Sequence, residues 1–290
     1  MEIPKIHCFA LLLSLIISLG GCGPIWKSPA YYTAYTEMDL ERAIMTPEQY
    51  DEVFKTHPRP YVFQHGDSTG GVFFFGSEHT KNPQDPQIEQ IRQAWKSFDP
   101  TVALVEGRMG FLFRWFMDPV ETFGESGLVL ELAQSKGIDC YTWEPPFEKE
   151  IEFQLRRFPA KRVALFYVIR PYASNLRHGK PENPEDFVEE YRSKRTKYSG
   201  LENTLASIAT IDSMWKADFP GEKDWRETSD AYGYPGYLQK IFIQSNAFRD
   251  EHFARVIIDL VTKKHRVFAV AGSSHAVKLD STLKIALTDR

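Results

Sequence analysis

Four short apolar runs, each closed by polar residues, constrain this chain more than any other feature. They are Val72–Phe75 ("VFFF"), Val102–Val105 ("VALV"), the run around Cys140 in "IDCYTW", and Val267–Ala271 in "RVFAVAG". Such runs fit strands buried on both faces. Helical patterns lie between them: "PQIEQIRQAWKSF" sets Ile88, Ile91 and Trp95 on one face, and "SGLVLELAQSKG" ends at Gly137. Strand, helix, strand, helix, strand is the order of right-handed parallel crossovers. The expected fold class is therefore α/β, a mainly parallel sheet with flanking helices.

The middle of the chain breaks this alternation. From Phe147 to about Phe219 the composition is helical, with "PEDFVEEYRSKR" and "LENTLASIATIDSMWKA", and "YGYPGYL" then reads as a loop or lid. "NAFRDEHFARVIIDLVTKK" reads as a helix with Phe253, Val256, Ile257 and Leu260 inward, and "SSHAVKLDSTLKIAL" follows the last apolar run. The economical arrangement is an α/β domain over residues 61–290 with a helical insertion at about 147–240.

The first residues have the layout of a secretory signal: Lys5, an apolar run from Phe9 to Leu19, then small residues. That run would be roughly 17 Å long as a helix, short of the ~30 Å a bilayer requires. Leu19-Gly20-Gly21-Cys22 resembles the bacterial lipobox, which implies a signal peptide over 1–21, a lipid on Cys22, and a membrane-anchored lipoprotein of the bacterial cell envelope on the extracytoplasmic side. Residues 22–60, rich in Pro, Tyr and small residues at their start, read as a tether. Of the three cysteines, Cys8 would leave with the signal and Cys22 would be acylated. Cys140 then stands alone, expected as a buried structural thiol, and stability must come from the core. With 35 Lys+Arg against 39 Asp+Glu, and basic residues scattered, the charge disfavours nucleic acid as a partner.

Ligands of open parallel sheets bind at the carboxyl ends of the strands. Four polar residues stand there: His79 after "VFFFG", Glu106 after "TVALV", Glu144 after "IDCYTW", and His275 after "RVFAVAG". "GSEH" (Gly76–His79) and "GSSH" (Gly272–His275) share the form Gly-x-x-His. The glycine permits a tight turn that returns the imidazole over the sheet edge. Imidazoles and a carboxylate suit a divalent metal such as Zn²⁺, Mn²⁺ or Co²⁺; Glu106 or Glu144 could instead act as general base on a water, with a histidine donating to the leaving group. "GESG" (Gly124–Gly127) only partly resembles a nucleophile elbow, and Ser126 is expected as an N-cap. Ser273 and Ser274 are expected in a turn, and His57, His65, His178, His252 and His265 at the surface.

From Val72 to Leu283 these motifs resemble the superfamily that joins the Tiki, TraB and GumN proteins, the erythromycin esterases and the ChaN-type haem-uptake lipoproteins. The resemblance implies a site of His79, Glu106 and His275, with Arg249 of "NAFRDEHFA", at the start of a helix, binding or orienting an anion. Glu144 and Glu78 carry over less closely. Esterase and ChaN members have a glutamate two residues before the motif histidine. Here Glu78 immediately precedes His79, which brings the chain nearer the Tiki and TraB branch. The implied activity is hydrolysis of a peptide or ester bond in a small-molecule or peptide substrate. The alternatives are a lipoprotein that captures a ligand such as haem, and a degenerate envelope scaffold.

Overall fold

The computed structural model describes residues 25–288 except 36–39, 41–42, 68, 108, 114–115 and 178. The segment read as a signal peptide, with Cys8, and Cys22 and His178 lie outside the described residues. Among the described residues the strands are β1 (Ile25–Trp26), β2 (Ala30–Tyr31), β3 (Tyr61–Asp67), β4 (Gly70–Ser77), β5 (Val102–Val105), β6 (Leu112–Phe113), β7 (Asp139–Thr142) and β8 (Arg266–Gly272). The α-helices are α1 (Pro47–Val53), α2 (Pro86–Phe98), α3 (Pro119–Lys136), α4 (Phe147–Leu155), α5 (Ala160–Asn175), α6 (Pro184–Arg195), α7 (Ile208–Asp218), α8 (Gly236–Thr262) and α9 (Ser273–Thr288). The fold is α/β. None of the described helices is long and apolar enough to cross a membrane.

The chain divides into two compact units. The first takes the residues up to Tyr32, His57–Trp143 and Leu260–Val277, and holds the six-stranded sheet in the order β2-β7-β5-β8-β4-β3. Every neighbouring pair is parallel except β3 with β4, which form a hairpin. Asp67 closes its turn by accepting from the Thr69 N–H at 2.7 Å and the Thr69 hydroxyl at 2.6 Å, an Asx turn in which the side chain replaces a backbone acceptor. β3 was not expected as a strand. Its alternating exposure sets Tyr61, Phe63 and His65 on one face, with Phe63 stacked on His65 at 4.9 Å. The polar residues of "QHGD" hide this period-2 pattern, because an edge strand needs no continuous apolar run. β2 pairs in parallel with β7, so two residues of the stretch read as a tether join the sheet.

Helices α2 and α3 supply one face of this unit's core. Ile88, Ile91, Trp95, Leu128, Val129 and Ala133 are buried in one cluster with Ala103, Val105, Phe268 and Val270 of the central strands. Phe268 stacks on Phe73 at 5.3 Å and takes the edge of Trp95 at 5.2 Å. Burial of each such side chain contributes roughly 1.5–3 kcal/mol. α2 starts because Asp85 accepts from the Gln87 N–H and Pro86 needs no hydrogen bond there, and it stops at Asp99 in the left-handed region, φ 53°. Cys140 is half-buried, and desolvation pushes its thiol up to about 12, so it is a structural thiol.

The second unit comprises Thr33–Thr56, Glu144–Asp259 and Lys278 onward. Its core surrounds α5, in which every residue from Val163 to Ile169 is buried. A helix apolar all round must be enclosed by others, and Trp215, Trp225, Leu238 and Ile241 belong to that enclosure. "YGYPGYL" is not a loop throughout: a short 3₁₀ turn ends at Tyr232, and α8 begins at Gly236. Arg249 therefore lies in the middle of a 27-residue helix and not at a helix start. His252, expected at the surface, has its Nε2 enclosed without a hydrogen-bond partner. Burial, aided by Arg255, depresses its pKa from 6.5 to about 4.

This neutral histidine makes stability depend on pH. Between pH 6.5 and about 4 the unfolded chain binds a proton at His252 that the folded chain refuses, so stability falls as pH falls through that window. Urea unfolding at stepped pH is expected to show a loss of about 1–3 kcal/mol from this group. His252→Leu should flatten that part of the curve, and an unchanged slope would show that His252 is not its source.

Candidate functional site

The two Gly-x-x-His segments lie side by side. β4 and β8 are parallel neighbours, with Gly76 opposite Ala271 and Ser77 opposite Gly272. Both motifs thus emerge at the carboxyl end of the sheet, one residue out of register. The chain after β4 turns sharply: the Glu78 N–H donates to the Gln87 side chain at 2.9 Å, and His79 takes a positive φ of 31°. The amide of a residue in the first turn of α2 thereby holds the loop that carries His79. Glu78 itself is exposed.

One buried carboxylate gathers this loop. Glu125 accepts from the His79 Nδ1 at 2.6 Å, from the Ser77 hydroxyl at 2.6 Å and from the Thr80 N–H at 3.2 Å. It is 5 % exposed, whereas the His79 side chain is 55 % exposed. The imidazole therefore has one nitrogen fixed inside and the ring directed outward. Burial works against ionisation of Glu125, but its bonds to His79, to Ser77 and to its own backbone N–H outweigh that, and its carboxyl lies below the usual carboxylate value. Backbone geometry contributes too. α3 is broken at Gly124, with φ 62° and ψ −150°, and turns helical again from Glu125, so the carboxylate stands at the N-terminus of a helical segment.

Glu106 completes the cluster at the end of β5. Its Oε2 accepts from the Gly272 N–H at 3.0 Å and lies 3.8 Å from the His79 Nε2, while its own N–H donates to the Ser126 hydroxyl at 3.2 Å. Gly272 is a glycine for a steric reason: a Cβ there would stand 2.8 Å from the His79 Nε2. His275 differs from His79. It lies in the first turn of α9, 7 % exposed, with its ring edge-on to Trp143 at 5.0 Å. Ser273 and Ser274 are helical, because β8 passes into α9 without an intervening loop.

Of the residues singled out in the sequence, the first unit brings together His79 and Glu106, with His275 at the end of the neighbouring strand. Glu144 and Arg249 belong to the second unit, where the Arg249 Nη2 donates to the Glu144 Oε1 at 2.5 Å. The expectation for Ser126 is corrected: Asp118 caps α3, accepting from the N–H groups of Val120 and Glu121, and Ser126 serves Glu106. Glu125 was missed in the sequence. "GESG" carried a usable signal in its two glycines around a Glu-Ser pair, but only tertiary structure brings it beneath His79.

His79 and Glu106 offer two donors suited to a divalent ion. An open catalytic zinc site uses three protein ligands, and among the described residues no three His, Cys, Asp or Glu side chains form a metal-holding group. The arrangement joins a carboxylate-oriented imidazole to a second carboxylate fixed by a backbone N–H, a pair chemically able to transfer a proton. Compared with known proteins, the chain matches no family model, no curated protein and no solved structure.

Glu125→Gln is expected to destabilise the fold by about 1–3 kcal/mol through the weakened bonds to His79 and Ser77. Because the Glu125 carboxyl lies below its ordinary 4.5, its stabilisation is present above that pH and is lost as pH falls through the folded value. The variant should lack this acid-side loss in pH-dependent melts, and a wild-type slope in Glu125→Gln would refute the assignment.

Proposed function

We propose that the chain is a hydrolase of peptide or ester bonds, held outside a bacterial membrane by a lipid on Cys22. The observation that carries the catalytic reading is the buried Glu125 bonded to the His79 Nδ1 at 2.6 Å. A carboxylate in that position keeps the proton on Nδ1, leaves Nε2 as the basic nitrogen, and stabilises the imidazolium when it forms. The motif resemblance to the Tiki, TraB and GumN superfamily supports the same assignment of His79 and Glu106.

The steps follow from these residues. A water beside the His79 Nε2 and the Glu106 Oε2, which are 3.8 Å apart, can hydrogen-bond to both. His79 takes a proton from this water as its oxygen bonds to the carbonyl carbon of the substrate. The C–N or C–O bond then breaks, and the imidazolium returns the proton to the departing amine or alcohol. Glu106, fixed by the Gly272 N–H, orients the water and the imidazolium. A divalent ion, were one held by His79 and Glu106, would supply Lewis-acid activation of a bound water.

Activity against peptide and ester panels is expected to fall at least about 100-fold in His79→Ala and Glu106→Gln. Glu125→Gln should lower kcat with little change in KM, since it acts through His79. Elemental analysis of wild type and His79→Ala decides whether a metal accompanies the site. No turnover on any panel, together with a Soret band on haem addition, would replace hydrolysis by ligand capture. Palmitate labelling in cells should mark the chain and vanish in Cys22→Ala, and labelling that persists would remove the lipid anchor from the proposal.

A further inference from the structure

The second unit holds a cavity of about 200 Å³ lined by Glu144, Glu150, Tyr167, Arg170, Arg195 and Arg249 among others. Three guanidinium groups and two carboxylates leave it with one excess positive charge. Most of these groups are matched. Arg249 donates to Glu144 at 2.5 Å, Arg170 donates to the Ser245 hydroxyl at 2.9 Å and lies 3.7 Å from Glu150, and Tyr167 donates to Glu150 at 2.8 Å. The Ser245 hydroxyl also donates to Glu150.

Arg195 is the exception. Among the described residues no carboxylate pairs with it. Its guanidinium carbon lies 3.8 Å over the Phe147 ring and 5.9 Å from the Tyr191 ring. Phe147 is in turn fixed between Tyr167 and Tyr198, each at 4.9 Å. Stacking on an aromatic face orients the planar fork and covers one side of it, but leaves its N–H donors without an anionic acceptor. Burial accordingly depresses the Arg195 pKa. Glu150 of the same cavity offsets part of this through space but makes no direct pair with Arg195, and a planar oxyanion is the group that a guanidinium binds through two parallel hydrogen bonds.

We propose that this cavity is a binding site for a small oxyanion, a carboxylate or phosphoryl group, with Arg195 as its principal partner. The volume suits the terminal group of a ligand and not a polymer. The proposal does not depend on hydrolysis at His79, and its test reads binding alone. Calorimetric titration of the purified chain with inorganic phosphate and, separately, with acetate is expected to show saturable one-to-one binding of at least one anion at millimolar concentration. The tighter of the two identifies a phosphoryl or a carboxylate ligand. That anion should also raise the Tm.

Arg195→Gln is expected to weaken binding at least about tenfold and to abolish the Tm rise. Its ligand-free Tm should be kept or raised, since a partly buried cation without a directly paired carboxylate is removed, whereas a purely structural arginine would lower it. Arg156→Gln, which breaks an exposed pair with Glu152 and does not line the cavity, should bind as wild type does. The proposal is overturned if neither anion binds saturably, or if Arg195→Gln binds with wild-type affinity. Should Arg195→Gln fail to fold, Arg195→Lys decides, because a point charge without the planar fork must bind more weakly, and unchanged affinity overturns the proposal.

Discussion

The buried carboxylate of Glu125 is the interaction on which the rest of the site depends. An unpaired carboxylate at that depth would cost several kcal/mol and would protonate. It stays ionised because a hydroxyl, a backbone N–H and an imidazole converge on it from the segment Ser77–Thr80, and because it stands at the start of a helical segment. The requirement runs in both directions. The carboxylate needs those donors, and the donors, having left the hydrogen-bonding ladder at the end of β4, need an acceptor. The sharp loop that carries His79 is the geometry that satisfies both.

Much of the sheet was legible in the sequence. "VFFF", "VALV", "DCYT" and "VFAVAG" are strands in one parallel arrangement; "VALV" and "VFAVAG" are the uninterrupted apolar runs that a strand covered on both faces needs, whereas Asp139 of β7 is exposed and Cys140 and Tyr141 half-buried. "PQIEQIRQAWKSF" is a helix with Ile88, Ile91 and Trp95 buried, as its spacing predicts. β3 escaped notice because it is an edge strand, half of whose residues face water. Arg249 and the start of α8 were misplaced because "YGYPG" carries strong turn residues, yet the helix begins at Gly236, immediately after that proline.

The site was legible only in its outline. Histidine and glutamate at strand ends can be read from local pattern, because strand ends are where parallel sheets present ligands. Which of them meet is a matter of strand order, and the adjacency of β4 and β8 spans 195 positions of sequence that no local pattern reports. The difference between an outward His79 and a packed His275 is likewise tertiary. One ring is held by a carboxylate and the other is packed against Trp143. The role of Glu125 escaped for a similar reason: the glycines of "GESG" mark a break, but a glutamate in an apolar helix shows nothing of the donors that surround it.

The break in α3 has a consequence for how this chain can vary. Gly124 has φ 62°, and a Cβ there would lie 2.7 Å from the Thr80 carbonyl oxygen, while Gly272 admits the His79 ring only because it has no side chain. The positions that shape the carboxyl end of the sheet are thus defined by what is missing from them. A sequence descended from this one could exchange most of its apolar residues for others of similar volume and keep the cluster. A single methyl group added at Gly124 would press on the fixed Thr80 carbonyl, and one at Gly272 would displace the exposed His79 ring, in both cases leaving the core intact.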